Sequence, residues 1–380
     1  MKPVVVLGAT GSIGRQAIEV AGHLGLPIAA LAARRGSDDL LAMAAAIPDA
    51  RIGVAAPTGQ ERERCVAELG DRVAFGPEAL VEMAGTPGVT VLNGVVGAAG
   101  LPASVAALDA GNRLALANQE SLVAGGPVVL AALARGGGEL VPVDSEHSAL
   151  QQCLVGESPE GVRRVVLTAS GGPFRGMAPP ALEQVTVEQA LAHPTWRMGP
   201  RITIDSATLM NKAFEVIEAH HLFGLEYDEI DVVVHPESIV HALVEFADGS
   251  VKAHLGEPDM RIPIQYALAG PDRPAGLVDP FLLAGRQLTF EPPDPVVFPC
   301  LRLGYEAGRA GGSAPTTLNA ADEVAVRAFL DRKIGFSSIP VIVERTLADV
   351  GVRPLETIDD VLEGDRESRA VANEHLGASC

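Results

Sequence analysis

The sequence predicts an α/β protein in three parts: an N-terminal doubly wound parallel sheet, a central α+β domain and a small C-terminal helical domain. Three observations predict it. Apolar runs alternate with helical stretches up to residue 145, a glycine-rich turn joins the first run to the first helix, and the pattern changes near residues 150 and 300. Short apolar strands spaced by helices belong to a parallel sheet covered on both faces.

The first strand candidates are Val4–Leu7, Ile28–Ala32, Ile52–Ala55, Val89–Leu92, Leu114–Leu116 and Leu140–Val143. Between them lie helices such as Gly14–Leu24, Asp38–Ile47, Arg62–Leu69 and Ser104–Ala110. Next come Val165–Thr168, Ile230–Val234, Ile239–Glu245 and Val251–His254, the last two joined by the hairpin signal Ala247-Asp248-Gly249. The expected division is 1–149, 150–270, a Pro-rich linker over 271–299, and a helical part over 300–380 with Asn319–Leu330 and Pro340–Asp349 as helices.

Composition narrows the function. The net charge is -19 and there is no Lys/Arg-rich run, which argues against a nucleic-acid partner. Cys65, Cys153, Cys300 and Cys380 form no Cys-x-x-Cys pair and read as free thiols of a reducing compartment. No apolar run reaches the ~20 residues needed to span a bilayer, and the chain enters a strand at Val4, so a cytoplasmic protein is expected.

Gly8-Ala9-Thr10-Gly11-Ser12-Ile13-Gly14 follows the first strand and opens a helix. This is a variant of the Rossmann fingerprint, in which glycines allow close backbone approach to a pyrophosphate and the helix N-terminus supplies donors. A structural turn is the plainer alternative. The second strand runs out into Arg34-Arg35-Gly36, with no acid before Asp38. Two guanidiniums suit a ribose 2′-phosphate, favouring NADP(H) over NAD(H).

Asp144 and Glu146 close the strand ending at Val143. Along an extended chain, i and i+2 point the same way, so two carboxylates are expected on one side. Such a pair leaves a hard cation underfilled, and a third ligand is needed from elsewhere; otherwise the two acids are surface decoration. Asp205–Glu215, read as a helix start, puts Asn211, Lys212 and Glu215 on one face. That face can hold a metal, hydroxyls and a phosphate, or be an ordinary intrahelical ion pair. Lysine is scarce, being confined to Lys2, Lys212, Lys252 and Lys333, which singles out Lys212.

These segments together resemble the 1-deoxy-D-xylulose 5-phosphate reductoisomerase family nearly end to end. The likeness runs through Gly8–Gly14, Asn93–Leu101, Ala117–Ser121, Pro142–His147, Ser170–Phe174, His193–Gly199, Asp205–Glu215, Leu255–Arg261 and Thr317–Ala321. It implies a Rossmann-like cofactor domain, a connective and catalytic α+β domain and a helical cap. It implies NADPH held by Thr10, Gly11, Ser12, Ile13, Arg34, Arg35, Gly36, Asn118, Glu120 and Gly199. It implies Mg²⁺ or Mn²⁺, with Co²⁺ also admissible, on Asp144, Glu146 and Glu215. Substrate would meet Gln119, Ser145, Glu146, Ser170, His193, Trp196, Ser206, Asn211, Lys212 and Glu215, with Glu146, Lys212 and His193 as the catalytic groups. A lid around Trp196 and a homodimer are also implied, as is a role in isoprenoid precursor synthesis. The other histidines (His147, His220, His221, His235, His241 and His254) are read as structural.

The chain departs from the family in two places. Gln119 stands where the family motif Ala-Asn-Lys-Glu-Ser has lysine, and Arg34-Arg35-Gly36 replaces the commoner Gly-Lys/Arg-Asn corner. Gln donates hydrogen bonds but carries no charge. The rival readings are therefore a non-catalytic or low-activity homologue that binds NADPH and metal, and an NADP-dependent dehydrogenase for another substrate.

Overall fold

The computed structural model of the protein describes residues 2–378, the last by its backbone alone, so the expectation for Cys380 lies outside the described residues. Cys65, Cys153 and Cys300 are buried free thiols. The chain packs as two compact units. The first takes in the stretch ending at Ser121, Pro127–Ser148 and Asp259–Pro280.

The first unit is built on β1 (Val4–Leu7), β2 (Ile28–Ala33), β3 (Arg51–Val54), β4 (Val73–Phe75), β5 (Thr90–Asn93), β6 (Arg113–Leu116) and β7 (Glu139–Pro142). They form a seven-stranded parallel sheet in the order β4-β3-β2-β1-β5-β6-β7. Helices cover it, so β1 and β5 are buried at every residue and read as unbroken apolar runs. Val4, Val6, Leu31, Ile52, Leu92 and Val141 meet Ala17, Val20 and Ala21 of the helix Ser12–His23. Each large aliphatic side chain buried this way contributes about 1.5–3 kcal/mol. The helix Arg261–Ala269 returns to this unit and adds Ile264, Ala267 and Leu268 to the same core. The sequence pattern missed β4 because all three of its residues are half-buried, which leaves no alternation to read. Strand order reverses between β1 and β5, the place where such sheets bind ligands beyond their C-terminal ends.

The second unit holds Leu122–Gly126, Ala149–Pro258 and the stretch from Phe281 onward. Its sheet of β8 (Val162–Ala169), β9 (Ile230–Val234), β10 (Val240–Phe246) and β11 (Val251–Leu255) has the order β11-β10-β8-β9. β8 and β9 are parallel and the other pairs antiparallel, so the sheet is mixed. The β10–β11 hairpin turns at Gly249 (φ 85°), with Asp248 Oδ1 accepting from the Ser250 N–H at 2.9 Å. Phe214 and Ile217 of the helix Met210–Phe223 anchor the core with Leu303 and Leu318. Gly304 lets the helix Cys300–Ala310 approach closely, since a Cβ there would lie under 3.0 Å from Ala213. Four helices from Cys300 to Ala378 make up the C-terminal part. Among the described residues, no helix is long and apolar enough to cross a membrane.

Two local expectations need correction. Asp205–Glu215 is not one helix start: Pro200–Thr208 and Met210–Phe223 are separate helices, broken where buried Leu209 takes φ 62°. A left-handed Leu costs about 1–3 kcal/mol, so the surrounding packing enforces the break. Glu146 does not lie on an extended strand either. β7 ends at Pro142, and Glu146 sits in the first turn of the helix Ser145–Leu154.

Gly8 is the tightest point of the first unit. Its φ is 82°, and a Cβ would lie under 3.0 Å from the Gly94 backbone. Gly8→Ala combines a left-handed penalty with overpacking and should cost about 3 kcal/mol of stability, read as a lowered midpoint in urea unfolding.

Candidate active site

In the first unit, the turn after β1 is shaped by backbone. The Gly8 and Ala9 N–H groups donate to Ala32 O at 2.9 and 2.8 Å. Gly14 fits against Gly8 and Ala9 only because it lacks a Cβ. The helix Ser12–His23 starts without a side-chain cap, so the donors of Ser12 and Ile13 stay available to an anion beside Thr10 and Gly11. Beyond β2, Arg34 is exposed and makes no ion pair among the described residues. Arg35 pairs with Glu61 at 2.9 Å. Arg64, which sequence reading passed over, donates to Asp38 at 2.5 Å and to Gly36 O at 2.5 Å. It sits on the helix Gly59–Leu69, and only the fold brings it to this corner.

Asn118 caps the helix Gln119–Gly136, accepting from the Ser121 N–H at 3.1 Å. Gln119, its first residue, is half-buried. Asp144 works in the same way one strand on. Its Oδ1 accepts from the N–H groups of Glu146 and His147, both at 3.0 Å, and lies 3.2 Å from His147 Nδ1. Capping leaves Asp144 Oδ2 for another ligand, while Ser145 Oγ donates to Glu146 Oε2 at 2.7 Å. What groups Asp144, Ser145 and Glu146 is thus a helix cap and not strand alternation.

In the second unit, Ser170 follows β8 and leads into Gly171 (φ 81°) and Gly172 (φ 66°). A Cβ on Gly172 would lie under 3.0 Å from Ser206 O and Ala207 Cα, so this loop is held against the helix carrying Ser206. His193 Nδ1 accepts from the N–H groups of Thr195 and Trp196 at 3.1 and 2.9 Å. Nδ1 is therefore unprotonated, and Nε2 carries the hydrogen that reaches Ser170 Oγ at 2.9 Å. Burial pushes the His193 pKa below its ordinary value, in keeping with this neutral tautomer. Trp196 is half-buried, with its ring 6.4 Å from that of His241, and Gly199 precedes the helix Pro200–Thr208.

After the Leu209 break, Asn211 Nδ2 donates to Glu215 Oε1 at 2.6 Å and Lys212 pairs with Glu215 Oε2. Lys212 is 4% and Glu215 0% exposed. Asn211 Oδ1 is buried with no hydrogen-bond partner among the described residues, an acceptor open to a donor. Arg201 is a further residue that sequence reading missed. It donates to Asn319 Oδ1 at 2.7 Å and lies 3.6 Å from both Asp205 and Asp322. No local pattern could announce that Arg201 and Asp205 meet Asn319 and Asp322, over a hundred residues further along the chain.

Fold and site define a Rossmann-type oxidoreductase with a second, α+β unit. Residues 4–126 match the family described as 1-deoxy-D-xylulose 5-phosphate reductoisomerase, residues 140–223 its C-terminal domain, and residues 255–371 the DXP reductoisomerase C-terminal domain. The chain belongs to the 1-deoxy-D-xylulose 5-phosphate reductoisomerase family. The enzyme of that name from Xanthomonas oryzae pv. oryzae (strain PXO99A) is 49% identical over 99% of this chain and 97% of its own length. The one from Methylococcus capsulatus is 47% identical over 99% of each chain. Among solved structures, the Zymomonas mobilis reductoisomerase in complex with NADPH superimposes with a TM-score of 0.91 at 40% identity, covering 99% of both chains. A reductoisomerase in complex with NADPH, fosmidomycin and magnesium gives 0.93 at 38%, covering 99% of this chain and 98% of that one.

Asp322 yields a pH prediction. It is fully buried, and burial pushes its pKa up to about 6 against the pull of Arg201. A carboxyl whose folded pKa is raised favours the folded state while protonated, and that advantage is lost as pH climbs from its unfolded value through 6. Asp322→Asn should therefore melt above wild type at pH 8, by the equivalent of about 3 kcal/mol at most, with the gain shrinking towards pH 4. Calorimetry across this range checks both the sign and the window.

Proposed function

We propose that this chain converts 1-deoxy-D-xylulose 5-phosphate to 2-C-methyl-D-erythritol 4-phosphate by rearrangement and reduction, using NADPH and a divalent metal ion, in the cytoplasm and as a homodimer. Residues 1–149 serve the cofactor and end on Asp144, Ser145 and Glu146 of the metal and substrate site, 150–270 supply the rest of that site, 271–299 link, and 300–380 support. The observation that supports the reading is the Asn211–Lys212–Glu215 cluster, in which Lys212 and Glu215 are buried and the Asn211 Oδ1, sealed from water with no hydrogen-bond partner among the described residues, is an acceptor for a ligand hydroxyl.

The residues fit both absent groups. For NADPH there are the glycine cradle, the uncapped helix N-terminus and the guanidinium corner. For Mg²⁺ or Mn²⁺ there are Asp144, Glu146 and Glu215, an all-oxygen set suited to a hard cation. The bound ion supplies Lewis-acid polarisation of a ketone, and NADPH supplies the hydride. The protein does the rest. Ser170 Oγ, the His193 Nε2–H, Ser206, Asn211 and the Lys212 ammonium hold the phosphate and hydroxyls. Ser145 and Glu146 hold a substrate oxygen and take up or return its proton. Trp196, in its loop between Pro194 and Pro200, closes over the sugar and excludes water. Because His193 is held neutral, it serves the phosphate as a hydrogen-bond donor, and Lys212 brings the positive charge.

NADPH oxidation with 1-deoxy-D-xylulose 5-phosphate, with added Mn²⁺ or with EDTA, tests the reading: turnover that EDTA abolishes is expected. Binding of NADPH without turnover would instead select the low-activity homologue that Gln119 favours. Metal-independent turnover of another substrate would select a dehydrogenase. Glu215→Gln should lower kcat/KM by about 10³. Gln119→Lys should raise kcat/KM about tenfold, the effect of one charge-assisted hydrogen bond, and an unchanged or lower value rejects the role given to that position.

A further inference from the structure

Behind the ends of β5 and β6 lies a buried polar relay. Asn93, Ser104 and Ser121 are each 0% exposed and Asn118 is 1% exposed. Asn93 Nδ2 donates to Ser104 Oγ at 2.8 Å, Ser104 and Ser121 share a hydrogen bond at 2.9 Å, and Ser121 Oγ donates to Asn118 Oδ1. The two ends fix the direction, because an amide nitrogen only donates and an amide oxygen only accepts. Every hydroxyl therefore points from β5 towards Asn118, and such one-way chains strengthen each member.

The Asn118 amide has no capacity left. Its Oδ1 accepts from both the N–H and the hydroxyl of Ser121. Its Nδ2, with two hydrogens, faces Val95 O at 2.8 Å, Gly97 O at 3.1 Å and Glu120 Oε2 at 2.7 Å. Glu120 Oε1 in turn accepts from the Gly97 N–H at 3.0 Å. Both ends of the relay thus grip the same turn, since Asn93 also donates to Gly100 O at 2.9 Å and accepts from the Val95 N–H at 3.2 Å.

We propose that Asn93, Ser104, Ser121 and Asn118 are positioning residues that hold the 94–100 turn and the start of the Gln119–Gly136 helix against the nicotinamide half of the cofactor, so that any contact Asn118 makes with NADPH runs through its backbone. The inference rests on the proposed NADPH dependence. In a doubly wound sheet the adenosine half lies over the β2 side, where Arg34 stands, and the nicotinamide half over the strands beyond the reversal, here β5 and β6. The relay also fixes residue 119 between two anchored neighbours.

The full-length protein with Mg²⁺ is compared with Ser104→Ala, Asn118→Ala, Gly100→Ala and the Gly100→Ala/Asn118→Ala double variant. Gly100→Ala is an independent route to the same fault, because its Cβ would meet Asn118 Oδ1 at 2.5 Å on a backbone that tolerates alanine. Expected are wild-type binding of 2′,5′-ADP, weaker binding of NADPH, a kcat lowered about tenfold and an enlarged isotope effect with deuterated NADPH. The double variant should be no worse than Asn118→Ala, since the obstructed side chain is gone. Ser104→Ala with wild-type kcat and NADPH affinity would overturn the proposal, as would additive losses in the double variant. So would loss of 2′,5′-ADP binding in step with NADPH, which marks general unfolding. If wild type itself shows no turnover, the proposed function fails, while the difference between NADPH and 2′,5′-ADP affinities still decides the positioning role.

Discussion

The constraint on which the rest depends is the burial of Lys212 against Glu215. Removing two such charges from water costs several kcal/mol each, and their attraction repays this only when the remaining donors and acceptors are satisfied. Here both Glu215 oxygens are engaged, one by Lys212 and one by Asn211. The pair is held by its helix: Phe214, Val216 and Ile217 are sunk in the core, and Gly304 lets a neighbouring helix close on Ala213. The Leu209 break then sets the first turn, and hence the direction in which Asn211 and Lys212 leave the backbone. A packing unit this rigid gives a polar ligand fixed partners, which is what differential stabilisation of a reacting centre requires.

The first unit meets the opposite electrostatic problem. A chain of net charge -19 repels phosphates at long range, so anion binding must be created locally. The groups suited to it are the backbone donors at the head of Ser12–His23 and the guanidiniums at the end of β2. Arg35 is already occupied by Glu61, and Arg64 by Asp38 and Gly36 O, whereas Arg34 is exposed and unpaired among the described residues. The division is physically sensible. Paired arginines give the corner its shape, and the unpaired one can meet a doubly charged phosphate without first breaking an ion pair.

Much of this was legible in the chain. β1 fell on its expected residues because an unbroken apolar run in a covered sheet leaves little choice, β9 did so although the exposed Asp231 interrupts it, and Gly8–Gly14 declared itself because only glycine tolerates that approach. The i, i+4 relation of Asn211 and Glu215 survived, since both lie beyond the Leu209 break. What failed was geometry decided by a single residue. Asp144 was expected to extend a strand; as a helix cap it turns the chain, and Glu146 emerges from a helical turn. Leu209 gave no warning, because leucine favours helices and only tertiary packing forces it left-handed. Arg64, Arg201 and Asp322 were invisible for another reason: apart from Asp205, four residues from Arg201, their partners are distant in sequence, and nothing local encodes such contacts.

His193 shows why residue type alone is a poor guide to chemistry. A histidine near a phosphate invites the reading of a cation, but two backbone donors on Nδ1 make protonation there a clash of hydrogens. The same logic bears on Gln119. If the phosphate end relies on neutral donors and a single ammonium, positive charge near the substrate is already sparse in the proposed site. A member that also lacks the lysine at position 119 has only Lys212 among the residues expected to touch substrate as a fixed positive charge. The metal ion and the helix N-terminus beginning at Gln119 must then carry more of the developing negative charge. Such a site depends more steeply on metal occupancy than one with two lysines, because fewer fixed charges remain when the ion leaves.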